Sequence, residues 1–179
     1  MTDFRIREAE PKDAAALVSL ARAVGREPER WLLSSTDWRA PAAERRYLRA
    51  VHRSAHGAVF VAEAPDGLVA RLSVARDPHP ASHHVADLGL MVAASHRRQG
   101  VGTALLRQAV AWSRESRIRK LELHVFPWNE PAIRLYESFG FEREGVRRAH
   151  YSRDGSDVDA LLMAYHLPSE QESPPSPAP

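Results

Sequence analysis

Residues 85–112 read VADLGLMVAASHRRQGVGTALLRQAVAW, and this stretch decides the fold. Leu88, Leu90 and Val92 alternate with other residues, as in a strand buried on one face. Arg97-Arg98-Gln99-Gly100-Val101-Gly102 then brings the backbone round a tight, glycine-bearing turn. From there Leu105, Leu106, Ala109 and Trp112 recur at helical spacing, the inward stripe of an amphipathic helix. A glycine turn opening a helix is a ready anion site, because free N–H groups and the helix dipole favour negative charge. The stretch therefore predicts a strand, a phosphate-binding loop and a helix.

Outward from this stretch, the flanking elements follow from periodicity. Phe4 to Arg7 alternates as an edge strand. A helix begins at Pro11, shows Leu17, Leu20, Ala21 and Val24 on one face, and stops at Gly25. Trp31 and Trp38 lie in the irregular segment 26–41, where they either line a ligand pocket or cover the core edge. Glu44 to Ser54 is a second helix with Tyr47, Leu48 and Val51 inward. Ala58–Glu63 and Leu68–Val74 form a hairpin across Pro65-Asp66-Gly67. After the long helix, Lys120–Val125 is a strand. A strand–helix–strand crossover implies that it pairs in parallel with residues 85–92. A short helix from Glu130 closes at Gly140, and two last strands turn at Ser152-Arg153-Asp154-Gly155 and end at Leu167.

The expected organisation is one domain over residues 1–167, followed by a disordered Pro/Ser-rich tail, 168–179. The 179 residues carry a formal net charge of +2, and the basic pI of about 9.3 reflects arginine, since Lys12 and Lys120 are the only lysines. No basic run interleaved with aromatics points to nucleic acid. No apolar run is long enough for a membrane helix, and the N-terminal residues lack a secretory apolar stretch, so a cytoplasmic location is expected. The chain has no cysteine, which excludes disulfides, thiol nucleophiles and thiolate zinc sites. His79, His83 and His84 fit no ligand spacing, so no metal is expected. Their proline-punctuated loop is expected near an acceptor entrance.

Two nucleotide-binding patterns fail for the glycine turn. A Walker loop requires a lysine before Thr103, and a dinucleotide fingerprint requires a small residue where Leu105 stands and an acidic residue where His124 and Val125 stand. The turn is not alone, however. Arg97-x-x-Gly100-x-Gly102 after a strand, followed by Val125–Phe141 with Asn129 and Leu135-Tyr136-x-x-x-Gly140-Phe141, resembles the GNAT superfamily of N-acetyltransferases. The resemblance is close over residues 85–141 and extends loosely from Phe4 to Leu167.

The resemblance implies a mixed α/β fold: a mostly antiparallel sheet with one parallel pair splayed for CoA, flanked by about four helices. It implies acetyl-CoA as cosubstrate and direct attack by a primary amine in a ternary complex. Arg97, Arg98, Gln99, Gly100, Val101, Gly102 and Thr103 would hold the pyrophosphate, with Leu90, Met91, Val92 and Asn129 along the pantetheine arm. Tyr136 would point at the sulfur. Expulsion of the CoA thiolate needs a proton, which a phenol with a pKa of about 10 can supply. An alkylammonium must also lose a proton before attack. Asp87, Glu63 and His84 are the candidate bases, each alternatively a plain surface residue. Trp31, Trp38 and His84 are the candidate acceptor contacts, and amides near Val92 could stabilise an oxyanion. The acceptor reads as a small amine, amino acid or antibiotic. The alternatives are a protein N-terminus or lysine, or a CoA-binding sensor without catalysis. A homodimer is compatible with this pattern.

Overall fold

The computed structural model describes residues 3–32 and 38–168. Its elements, in chain order, are β1 (Arg5–Glu8), α1 (Ala14–Gly25), α2 (Pro41–His52), β2 (Gly57–Ala64), β3 (Gly67–Arg76), β4 (Val85–Val92), α3 (Val101–Glu115), β5 (Lys120–Val125), α4 (Glu130–Phe139), β6 (Glu142–Arg153) and β7 (Ser156–His166). The strands form one sheet in the order β1-β2-β3-β4-β5-β7-β6. All pairings are antiparallel except β4–β5, which is the crossover pair the sequence predicts. The long helix α2 starts at Pro41, three residues before its expected start, because proline is favoured at the first helical position. The tail from residue 169 onward lies outside the described residues.

The sheet has two faces with different coverings, and strand alternation assigns each residue to one of them. On one face Phe60, Leu72, Leu88, Leu121, Leu123 and Met163 pack against Val101, Leu105, Leu106 and Ala109 of α3 and Ile133 and Tyr136 of α4. Leu105 and Leu106 are fully buried there, and truncating either to alanine costs about 2–5 kcal/mol. Trp112, expected in this stripe, sits at its margin, only partly buried. On the other face α1 and α2 cover only the β1–β4 half. Val59 and Val61 meet Leu17 and Leu48, and Met91 meets Leu20, Ala21 and Val24. The β5–β7–β6 half of that face carries Glu122, His124, Arg147 and Tyr151 in place of apolar residues. Register puts them on the same side as Asp87, Gly89 and Met91.

The parallel pair is short. Val85, Ala86 and Asp87 pair with Lys120, Leu121 and Glu122, after which the strands part. Along its other edge β4 stays paired with β3 from Ala86 to Val92. Residues 88–92 therefore present an unpaired strand edge to the gap opening toward β5.

Candidate active site

A cleft of about 550 Å³ occupies the gap between β4 and β5. Leu88, Gly89, Leu90 and Met91 line it from β4, His124 and Val125 from β5, and Asn129, Ala132 and Tyr136 from α4. Trp31, Leu32, Trp38, Arg39, Tyr47, Arg71 and Ser73 close it on the α1–α2 side. Leu90 and Met91, on opposite faces, both reach it, so the cleft passes through the sheet. That passage exists because the pairing ends at Asp87 and Glu122.

The glycine turn lies at the open end of β4. Arg98 and Gly100 both take left-handed backbone, φ +60° and +83°, the second at a position that suits glycine. Gly100 caps α3 without any side-chain hydrogen bond. Among the described residues, the backbone N–H groups of Gly100, Val101, Gly102 and Thr103 donate to no backbone carbonyl. An uncapped helix end with several N–H groups free fits the pyrophosphate of CoA. The open edge of β4 fits an extended chain bearing amides, such as pantetheine. Gly102 has a different reason to be glycine: a Cβ there would lie 2.8 Å from Leu135 Cδ2 of α4. Its small size lets the two helices approach.

The side chain of Arg97 does not face the cleft as a phosphate ligand. Its Nη2 donates to both carboxylate oxygens of Glu27 at 2.7 Å, and its Nε donates to the Val92 carbonyl at 3.0 Å. The guanidinium also stacks 4.9 Å from the Trp31 ring. That engagement takes the Val92 carbonyl away from any ligand. Gln99 donates from its side chain to the Ser95 carbonyl at 2.8 Å. The side chains of Arg97 and Gln99 are therefore engaged in holding the loop itself.

Asn129 is buried and caps α4, its Oδ1 accepting from the Ala132 N–H at 3.3 Å. This leaves Nδ2 as its free donor at the cleft wall. Tyr136 is buried against Phe141, ring centroids 5.5 Å apart. Burial pushes its phenol well above the ordinary tyrosine range, so it stays protonated.

Of the three bases considered from the sequence, none lines the cleft. Glu63 accepts from Arg7 Nε at 3.0 Å and Arg5 Nε at 2.8 Å, and these bonds hold its carboxyl below the usual range. Arg7 in turn donates to Asp13 at 2.7 Å, so Glu63 belongs to a network that fastens β1 to the start of α1. His84 precedes β4, and its carbonyl accepts from the Arg119 and Lys120 N–H groups at the closed end of the parallel pair. Six residues, roughly 20 Å of strand, separate it from Leu90. The histidine loop 77–84 is thus at the wrong end to form an acceptor entrance, and this corrects the expectation for His84. No group of histidines and carboxylates able to hold a metal occurs among the described residues. Asp87 stands opposite Glu122 at the last paired position. Crowding by protein atoms, added to the Glu122 charge, pushes it up to about 6.

The imidazole that lines the cleft is His124, which was not among the bases considered from the sequence. Its Nδ1 lies 2.9 Å from Tyr151 Oη, and its ring meets His150 edge-on at 5.0 Å. Burial, with help from Arg147 and His150, lowers its pKa, so the imidazole is neutral at neutral pH. The available signal was polar alternation: Glu122 and His124 face away from Leu121, Leu123 and Val125 on the strand that leaves its parallel partner.

Comparison with known proteins adds to this geometry. Residues 26–141 match the model of the acetyltransferase (GNAT) family. An L-amino acid N-acetyltransferase of Escherichia coli K12, AaaT, is 31% identical over 175 residues, covering 92% of this chain and 98% of the relative. The ribosomal protein bS18-alanine N-acetyltransferase of the same organism is 38% identical over 69 residues, 38% of this chain and 47% of its own. A GNAT-family acetyltransferase from Streptococcus pneumoniae superposes with a TM-score of 0.83 at 27% identity, covering 93% of this chain and all of that one.

Proposed function

Because the chain belongs to the GNAT family and is an acetyl-CoA-dependent N-acetyltransferase, we propose that the cleft joins acetyl-CoA to a small primary amine from opposite faces of the sheet. The observation that carries this reading is the unpaired edge of β4 at residues 88–92, running from the cleft to the uncapped N-terminus of α3. Acetyl-CoA supplies an activated acyl group. The chain's own residues have to bind it, free the acceptor nitrogen of its proton and protonate the departing sulfur.

Backbone N–H groups of Gly100 to Thr103 hold the pyrophosphate, and the β4 edge with Asn129 Nδ2 aligns the pantetheine arm. Tyr136 is the proton donor. A buried phenol held neutral gives its proton only when a thiolate develops beside it, and such general acid catalysis contributes about 10²–10⁴-fold. His124 is the proton acceptor. With Nδ1–H donated to Tyr151 Oη, Nε2 keeps its lone pair and can take a proton from an incoming ammonium. Asp87 and Glu122 lie on the same face and accept charge behind it.

A small acceptor fits better than a protein terminus. A relative matched over nearly the whole chain at 31% identity is named for L-amino acids, whereas the Escherichia coli ribosomal-protein enzyme matches in sequence over only 38% of it, and one from Brucella melitensis that covers 91% of it is 25% identical. The acceptor side is moreover walled by Trp38, Arg39 and Tyr47, which narrow the cleft. The test is to titrate the full chain with acetyl-CoA, then follow thiol release against a panel of small amines and N-terminal peptides. Turnover confined to small amines is expected. Tight acetyl-CoA binding with no turnover on any amine would refute catalysis and favour a sensor.

A further inference from the structure

We propose that Arg71, with Trp38 Nε1 beside it, is a carboxylate-binding subsite, so that the acceptor is an amino acid recognised by its own carboxylate. This rests on the acetyl-transfer reading above and names its substrate class.

Arg71 sits in the middle of β3, opposite Met91 of β4 and on the same face as Ser73 and Gly89. Only 6% of it is exposed, yet it lines the cleft. A guanidinium taken out of water needs its five N–H donors filled. Here they are not. Nε has no partner among the described residues, Nη1 reaches Ser73 Oγ at 3.4 Å, Nη2 stands 3.7 Å from Glu44 Oε1, and the Tyr47 side chain is the guanidinium's remaining polar neighbour. Trp38 sits 5.3 Å from the same guanidinium, and its buried indole N–H also has no partner among the described residues. Arg71 and Trp38, each with an unfilled donor among the described residues, thus line the same cleft.

The charge balance points the same way. Glu44 is fully buried behind this wall and is shared between Arg71 and Arg39, whose Nε lies 3.2 Å from Glu44 Oε2. Two guanidiniums against one carboxylate leave one positive charge. Among the described residues, no carboxylate side chain lines the cleft; its charged groups are Arg39 and Arg71. A polyamine or a lysine-rich peptide would bring positive charge to a positive wall. An α-amino acid brings an anion, and the planar fork of arginine matches a carboxylate in two parallel hydrogen bonds.

The phosphates of CoA are not the missing partner. They belong at the N-terminus of α3, which packs on the opposite face of the sheet from Arg71. Arg71 is instead one strand, about 4.8 Å, from Met91 at the β4 edge. That spacing suits an acceptor whose amine and carboxylate are only a few bonds apart.

The test compares amino acids with their own amides. Standard L-amino acids and their α-carboxamides are assayed on the full chain with acetyl-CoA by thiol release, and their binding in the presence of CoA is measured by calorimetry. In the wild type the acid should exceed the amide in kcat/KM by roughly ten- to a hundredfold, the value of a charge-assisted pair. Arg71→Met should bring that ratio near one, and Arg71→Lys, which keeps the charge without the fork, should fall between. Trp38→Phe, which removes the indole N–H together with part of the ring, should lower the ratio several-fold while the variant still unfolds cooperatively on heating. It carries the test if Arg71→Met does not fold. Equal use of acid and amide by an active wild type, or a folded Arg71→Met that keeps the ratio, would overturn the subsite. If no amine is acetylated, the acetyl-transfer reading falls. Calorimetry then decides the subsite: preference for the acid supports it, and no preference overturns it.

Discussion

Replacing Asp87 by asparagine should stabilise the protein, and only above the pH at which the native carboxyl ionises. In the folded chain Asp87 is pushed from 3.8 to about 6 by crowding and by Glu122 across the parallel pair. The unfolded carboxyl loses its proton first as pH rises, so between those values the native state binds more protons. Stability therefore falls with rising pH across this window and stays reduced above it. At 1.36 kcal/mol per pH unit the shift corresponds to about 3 kcal/mol. The carboxylate keeps solvent access, and screening reduces this to roughly 1–2 kcal/mol. Asparagine is isosteric and never ionises, so it escapes that penalty. For a chain of this length the gain is about 3–6 °C in Tm. Paired thermal unfolding of wild type and Asp87→Asn from pH 4 to pH 8 cancels the other titrating groups. The difference should be near zero at pH 4, grow through pH 5–6 and level off by pH 7. A Tm difference independent of pH, or a variant less stable than wild type at pH 8, would refute the argument.

The site makes three further predictions. Tyr136→Phe should leave the Kd for acetyl-CoA within about twofold and lower kcat by roughly 10²-fold or more; equal turnover would remove the phenol from the reaction. His124→Asn should lower kcat/KM and abolish the acid limb of the wild-type pH profile. That limb should have its midpoint below the ordinary imidazole value of about 6.5, since burial and Arg147 disfavour the charged ring. An unchanged limb in the variant would send the proton elsewhere. Gly100→Ala places a Cβ on backbone at φ +83°, at a strain of about 1–2 kcal/mol. Acetyl-CoA affinity measured by calorimetry should drop about five- to twentyfold, with the acceptor KM little changed.

What the sequence disclosed was whatever short-range chemistry determines. Gly100 demanded a turn, the helical spacing of Leu105, Leu106, Ala109 and Trp112 demanded a helix, and strand–helix–strand demanded the parallel pair. The splay of that pair and the GNAT order came instead from the resemblance carried by residues 85–141. The acceptor side was less legible, because its functional residues look ordinary in one dimension. Arg71 reads as the polar member of an alternating strand, and residues distant in sequence, Trp38 and Glu44 and Tyr47 of α2, help to bury it. His124 likewise reads as an exposed strand residue until the end of pairing at Glu122 opens a cleft beside it. Glu63 and His84 failed for the complementary reason. Alternation tells which face a residue takes but not which end of the strand faces the gap, and both residues lie away from that gap.

Arg97 shows why the two halves of the site behave as one. Its backbone begins the turn that ends in the left-handed Gly100, and its side chain is spent on Glu27 and the Val92 carbonyl. Glu27 follows α1, in the segment that also carries Trp31, and that segment is tied to the far hairpin by Arg30–Asp154 and by Arg153 donating to the Arg30 carbonyl. Trp128, just before α4, donates to the Glu29 carbonyl at 3.3 Å and stacks on Phe126. The acceptor wall therefore hangs on the phosphate turn at one side and on the β5–α4 junction at the other. A partly buried arginine–carboxylate pair, its Nη2 reaching both carboxylate oxygens and its Nε held by a carbonyl, resists opening better than an exposed single contact. The turn is consequently held in shape by the acceptor side of the cleft, so under the proposed reading its backbone is preorganised for a pyrophosphate.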